Sequence, residues 1–81
     1  MEQDQIFAKL TPIFHEAMDN DNIQLSRSLS ADDVEQWDSL SHIRLILAVE
    51  QAFHVRFQTM EIGDLKNVGD MVDLVQQKLR R

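Results

Sequence analysis

The chain has no cysteine, so no disulfide, thiolate metal site or cysteine nucleophile is available and packing must come from the helices alone. Any thiol chemistry has to be imported. Long apolar runs are missing too. The longest, Leu45 to Val49, has five residues, against roughly 20 needed to cross a bilayer, so no membrane span is expected. Met1 to Leu10 combines neither a basic start nor an apolar stretch, so no signal or transit peptide is expected and the cytoplasm is the default location. Basic residues are scarce: eight Lys and Arg against fourteen Asp and Glu give a formal net charge of −6. That balance argues against nucleic acid, whose phosphates are contacted by Lys and Arg. Repeats, linkers and low-complexity segments are absent. His15, His42 and His54 lack ligand spacing or a partner acid, so neither a metal site nor a general base is expected. No order or spacing suggests a Ser, His and Asp arrangement. A noncatalytic role follows.

What is present is one strong stretch, Gln36 to Phe53, read as QWDSLSHIRLILAVEQAF. It opens with a helix-start signal at Asp38-Ser39. At 3.6 residues per turn, Leu40, Ile43, Ile46, Leu47, Val49 and Phe53 spread over a very wide arc, leaving Ser41, Arg44, Ala48 and Gln51 as the remaining strip. A helix this apolar is expected to be central and covered by several neighbours.

The other segments supply those neighbours. At 81 residues the chain is expected to be a single domain, 1-81, of modest stability, burying about 60% of the surface its unfolded chain exposes. Residues 4 to 18 carry Ile6, Phe7, Leu10, Ile13, Phe14, Ala17 and Met18 at helical spacing, with Asp4 as cap and Pro12 predicting a kink in one helix. Asp19 to Trp37 is polar and aperiodic, a connection long enough to be either functional or disordered. Ile23, Leu25, Leu29, Val34 and Trp37 are spaced along it as anchors, which predicts an ordered loop with a helical turn near Ala31 to Glu35. The run Asp19-Asn20-Asp21-Asn22 does not match a calcium loop, because Ile23 and Gln24 stand where an oxygen ligand and a glycine are needed. His54 to Gln58 alternates, but a lone strand is implausible. It is read as a connector tucking Val55 and Phe57 inward. Glu61 to Leu65 is at most a helical turn. A last helix follows Asn67 as cap, with Val68, Met71, Val72, Val75 and Leu79 on one face and Lys78, Arg80 and Arg81 at its negative end.

The expected fold is therefore all-α: a four-helix bundle of three longer helices and one short one, with a long loop between the first two. Residues 1 to 38 hold nine acids against Lys9 and Arg27, so an acidic face on the first helix and loop, and a basic partner, are expected.

At Trp37-Asp38-Ser39-Leu40 the sequence resembles the acyl carrier protein family, whose attachment motif is Asp-Ser-Leu at the start of the second helix. The resemblance extends through Ser39-Leu40-x-x-Ile43-x-Leu45-Ile46-x-x-Val49-Glu50-x-x-Phe53, the long first loop, the connector and the helix after Lys66-Asn67-Val68. It implies a four-helix bundle of acyl carrier type, with a 4′-phosphopantetheine arm on Ser39 and Asp38 and Leu40 flanking it. The implied partners are a phosphopantetheinyl transferase and acyl-loading and acyl-processing enzymes acting on a monomer. A serine at a helix start is independently suited to a phosphate, beside free N–H groups and the positive end of the dipole. Asp38-Ser39 taken alone reads as a cap. Aminoacyl or peptidyl cargo, or an unmodified helical interaction module, are the alternatives.

Arg44 stands where the family commonly has an acid, so residues 39 to 53 sum to zero formal charge. Partner recognition is then expected to rest on Asp32, Asp33, Glu35 and Asp38, with Leu40 and Leu47 as exposed apolar contacts, and with Trp37 and Arg44 as further partner-binding candidates. A specialised carrier in a dedicated pathway is the corresponding expectation.

Overall fold

A computed structural model describes residues 2–80, to which the structural statements below refer. Four helices follow one another: α1 (Gln3–Met18), α2 (Ser39–Phe53), α3 (Thr59–Gly63) and α4 (Val68–Leu79), with a 3-10 turn at Ala31–Asp33 in the long loop. No strand occurs among the described residues. The all-helical bundle matches the expectation, and α1 packs against both α2 and α4.

The 3-4 spacing of α1 places Ile6, Leu10, Phe14 and Met18 in the core. Its cap is not Asp4 but Glu2, whose backbone N–H donates to Gln5 Oε1 at 3.1 Å. Asp4 falls in the first turn, where its charge suits the dipole. Pro12 sits inside a helix that continues as one element through it. Next to the missing donor, Thr11 Oγ1 donates to the Phe7 carbonyl at 2.9 Å. A left-handed residue, Asp19, ends the helix.

The loop is ordered by its apolar anchors. Ile23, Val34 and Trp37 are buried, and Leu25 and Leu29 are packed against the same cluster. Its first half is tied to α1 by His15 Nε2, which donates to the Ile23 carbonyl at 2.8 Å. Its middle closes over the start of α4. Two N–H groups that a helix N-terminus leaves unpaired, those of Val68 and Gly69, donate to the carbonyls of Leu29 and Arg27, both at 2.9 Å. Asn67 caps the same end by accepting from the Asp70 N–H at 2.8 Å, as expected. Arg27 also forms a two-pronged pair with Asp73, at 3.1 and 2.7 Å. Both partners of that pair are about half exposed, so water screens it and the buried anchors contribute more. The radius of gyration, 11.5 Å, is close to the ~11.7 Å expected of a folded chain this long, as it must be if the loop lies on the bundle.

This closure makes Gly69 intolerant of a side chain. A Cβ there would lie 2.9 Å from the Arg27 carbonyl oxygen. Overpacking of this kind costs about 1–3 kcal/mol, against about 1 kcal/mol gained by alanine over glycine within a helix. The obstructing atom is backbone and cannot rotate aside. Gly69→Ala is therefore expected to lower stability by up to roughly 2 kcal/mol, read from urea unfolding; a midpoint raised by the full helix-propensity gain of about 1 kcal/mol would mean the loop does not close on α4.

Val55 and Phe57 are buried as the connector reading requires, and Glu50 Oε2 accepts the Phe57 N–H at 2.8 Å. The short helix starts two residues earlier than expected, at Thr59 instead of Glu61. Glu61 Oε1 accepts the Gln58 N–H at 2.8 Å and so fixes Gln58 as its cap. Lys78 then pairs with Glu61 at 2.9 Å, and Arg80 forms the C-cap of α4. The expectation for Arg81 lies outside the described residues.

The largest departure concerns α2. Leu45, Ile46, Val49 and Phe53 are buried, but Leu40, Ile43 and Leu47 are 59%, 55% and 55% exposed. The expectation of a central helix covered by several neighbours fails for Ile43, whereas Leu40 and Leu47 are exposed as the partner-contact reading expected. The main helix contact of α2 is with α1, and the core they share covers only one side of α2.

Candidate functional site

Ser39 is the first residue of α2 and is exposed. The cap is Asp38, whose Oδ1 accepts the Ser41 N–H at 2.9 Å while its carbonyl accepts the His42 N–H at 2.8 Å. With Asp38 filling that role, the Ser39 hydroxyl is left without a partner among the described residues. The two residues thus divide the work that a single cap would do. One anchors the helix start and the other presents a hydroxyl to solvent at its positive end.

The Asp38 carboxyl lies below its usual pKa, chiefly because of the Ser41 N–H. Glu61 is lowered by the Gln58 N–H and then by Lys78, and Asp73 by its hydrogen bonds with Arg27. A carboxylate depressed in the folded chain stabilises it above the unfolded pKa, and that contribution is lost as pH falls through the folded one. Urea midpoints are therefore expected to hold from neutral pH to about 5 and to fall below about 4, where ordinary carboxylates protonate. A midpoint still flat at about pH 3 would contradict this assignment.

Trp37, immediately before Asp38, is 6% exposed. It meets Phe14 edge-on, with centroids 5.2 Å apart and planes at 80°. On its other side it stacks with His42 and donates from Nε1 to His42 Nδ1 at 3.0 Å. Because an indole nitrogen only donates, Nδ1 must be the unprotonated nitrogen of that ring. Nε2 then carries the proton toward the Ile62 carbonyl, 3.4 Å away. This chain of contacts links the loop, α2 and α3 behind Ser39. Sequence reading left His42 without a role; its place five residues after Trp37, about one turn into the helix, was the available signal.

Between these elements runs an open groove of about 410 Å³ lined by Ala31, Trp37, Asp38, Ser39, His42, Ile62, Gly63, Leu65 and Lys66. Its walls are mostly apolar, and Asp38, Ser39, His42 and Lys66 are its polar lining residues. A linear group fixed at Ser39 could lie along it.

The remaining candidates are dispersed. Asp32, Asp33 and Glu35 are exposed on the loop before Ser39, and Leu40, Arg44 and Leu47 are exposed on α2. Trp37 is a correction: it is buried between Phe14 and His42, so it supports the site from behind and does not present itself to a partner protein. Ile43 and Met60, the latter 79% exposed, extend the apolar surface and were missed. Ile43 was read as core because periodicity does not show which part of an apolar arc finds a neighbour. His15 and His54 serve the loop contact and the left-handed end of α2.

No family model matches the chain. Two relatives are acyl carrier proteins at 32% identity. The one from Acidothermus cellulolyticus matches over 77 residues, 93% of this chain and 89% of its own. The one from Petrotoga mobilis matches over 81, 98% and 93% respectively. Among solved structures, the solution structure of a holo acyl carrier protein from Geobacter metallireducens is similar, with a TM-score of 0.84 and 48% identity, over 90% of this chain and 84% of that one.

Proposed function

The chain belongs to the acyl carrier protein family, and from that premise we propose that it carries acyl groups as thioesters on a 4′-phosphopantetheine arm attached to Ser39. The arm supplies what the chain lacks, a thiol on a flexible tether that raises the effective concentration of cargo at a partner's active site. With no cysteine in the protein, loading would be confined to that one sulfur.

The observation that carries the attachment site is the unpartnered, exposed hydroxyl of Ser39 beside a cap already satisfied by Asp38. During transfer from coenzyme A, the Ser39 oxygen would lose its proton and form the bond to phosphorus as the adenosine bisphosphate leaves. Asp38 stays close to the new phosphodiester, and its commitment to the Ser41 N–H limits their repulsion. Trp37 and His42 hold the loop and α3 in place around that point. Leu40, next to the attachment residue, and the loop acids Asp32, Asp33 and Glu35 form the surface a transferase and the acyl-handling enzymes would approach.

The protein itself is not the catalyst in this reading. Residues 1-81 act as one carrier domain, monomeric and cytoplasmic; no described helix is long and apolar enough to cross a membrane. The test is intact mass after incubation with a broad-specificity phosphopantetheinyl transferase, coenzyme A and magnesium, followed by peptide mapping. One phosphopantetheine on the peptide containing Ser39 is expected. A folded, unmodified protein that gains no mass would leave only an interaction module.

A further inference from the structure

We propose that Arg44 pairs with a carboxylate on the acyl-handling enzyme that docks on α2, so that this carrier selects partners of mixed charge over uniformly basic ones. The proposal rests on the carrier reading and adds the chemistry of the partner. Leu40, Ile43 and Leu47 are more than half exposed on α2, on the side opposite Leu45, Ile46, Val49 and Phe53. An apolar stripe of this kind beside the attachment residue is a surface awaiting cover. Arg44 lies within it, four residues after Leu40 and three before Leu47, and therefore between them on the helix surface. It is exposed and has no ion pair among the described residues.

This placement restricts the partner. A surface that covers both leucines also covers the stem of Arg44 and dehydrates its guanidinium. Leaving that charge unpaired at an interface is costly, whereas a carboxylate meets it with two parallel hydrogen bonds. The one acid of α2, Glu50, lies six residues further on and already accepts the Phe57 N–H. At the other end of the stripe, Asp32, Asp33, Glu35 and Asp38 favour a cation. Asp38 and Arg44 are separated by about 9 Å along the helix axis, from six residues at 1.5 Å each. A complementary enzyme therefore presents a basic group near the arm and an acidic one about 9 Å further on, and the alternation fixes the direction in which the carrier lies.

The test uses the full-length carrier, with its mass recorded before and after transferase treatment. The probe is a fatty-acid-synthesis acyltransferase with a basic carrier-docking surface, together with variants in which single surface Lys or Arg residues are changed to Glu. Steady-state KM is measured for wild-type and Arg44→Glu carriers. Close charge pairs at interfaces couple strongly enough that about a tenfold change is expected. Arg44→Glu should lower KM for the unaltered basic enzyme by about that factor with kcat nearly unchanged. At least one Lys/Arg→Glu enzyme variant should prefer the wild-type carrier. Equal KM values for the two carriers across the whole enzyme set would overturn the proposal, as would wild-type preference for the unaltered enzyme. Mass alone reports whether the arm is attached. If it is not, the same carrier and enzyme pairs are compared by binding affinity, with the same preferences expected, so the two readings fail separately.

Discussion

Ser39→Ala is expected to abolish phosphopantetheine transfer completely and to leave the fold unchanged. The loss follows because alanine offers no oxygen to phosphorus. The unchanged fold follows from the division of labour at the start of α2, where Asp38 accepts the Ser41 N–H and the Ser39 side chain makes no contact on which the helix depends. Alanine is moreover the better helix former, so the unfolding midpoint should move by no more than the ~0.5 kcal/mol typical of surface changes. Asp38→Ala is the complementary variant: it keeps the hydroxyl and removes the cap, so it should lower the midpoint yet remain a substrate. Intact mass and urea unfolding on the same samples separate the two residues. A Ser39→Ala protein that still gains a phosphopantetheine would place the attachment elsewhere; one that unfolds would make Ser39 a structural residue.

Trp37→Ala should have the largest effect on stability. Truncating a buried tryptophan costs about 3–5 kcal/mol, while a domain of this length is stable by only about 4–12 kcal/mol. A quarter or more of the total is therefore at stake. The variant loses the edge contact with Phe14 and leaves His42 unstacked. His42→Leu isolates the polar part of the same assembly. It retains bulk but strands the indole N–H, whose loss of a partner costs about 1–3 kcal/mol. Urea unfolding followed by far-ultraviolet circular dichroism compares all three proteins. Trp37 is the one tryptophan, so its emission gives a second reading in the wild type and in His42→Leu. A cost below about 1 kcal/mol for Trp37→Ala would be too small for a core anchor.

Much of this was legible because it is local. Asp38 and Asn67 are side chains three residues from the N–H groups they accept, and such short-range signals survive in any context. The anchors Ile23, Val34 and Trp37 stand out against a polar loop, and the apolar spacing of α1 and α4 marks their inner faces. Boundaries set by weaker reciprocal contacts, Glu2 with Gln5 and Gln58 with Glu61, were misplaced by two residues. Glutamate and glutamine are also ordinary helix formers, so their sequence does not distinguish a cap from a first turn.

The sequence by itself determined the helical class, the inner faces of α1 and α4, and the cap at Asp38 with a serine, Ser39, opening α2. Tertiary structure decided which side of α2 would be covered. The apolar arc from Leu40 round to Phe53 is the same either way, but 81 residues supply too few neighbours to enclose it, and Leu40, Ile43 and Leu47 remain outside with Arg44 among them. It also decided that the carbonyls of Arg27 and Leu29 would meet the N–H groups of Gly69 and Val68. Contacts between residues some forty positions apart leave no periodic trace, because they depend on where the chain returns and not on what stands beside them in sequence.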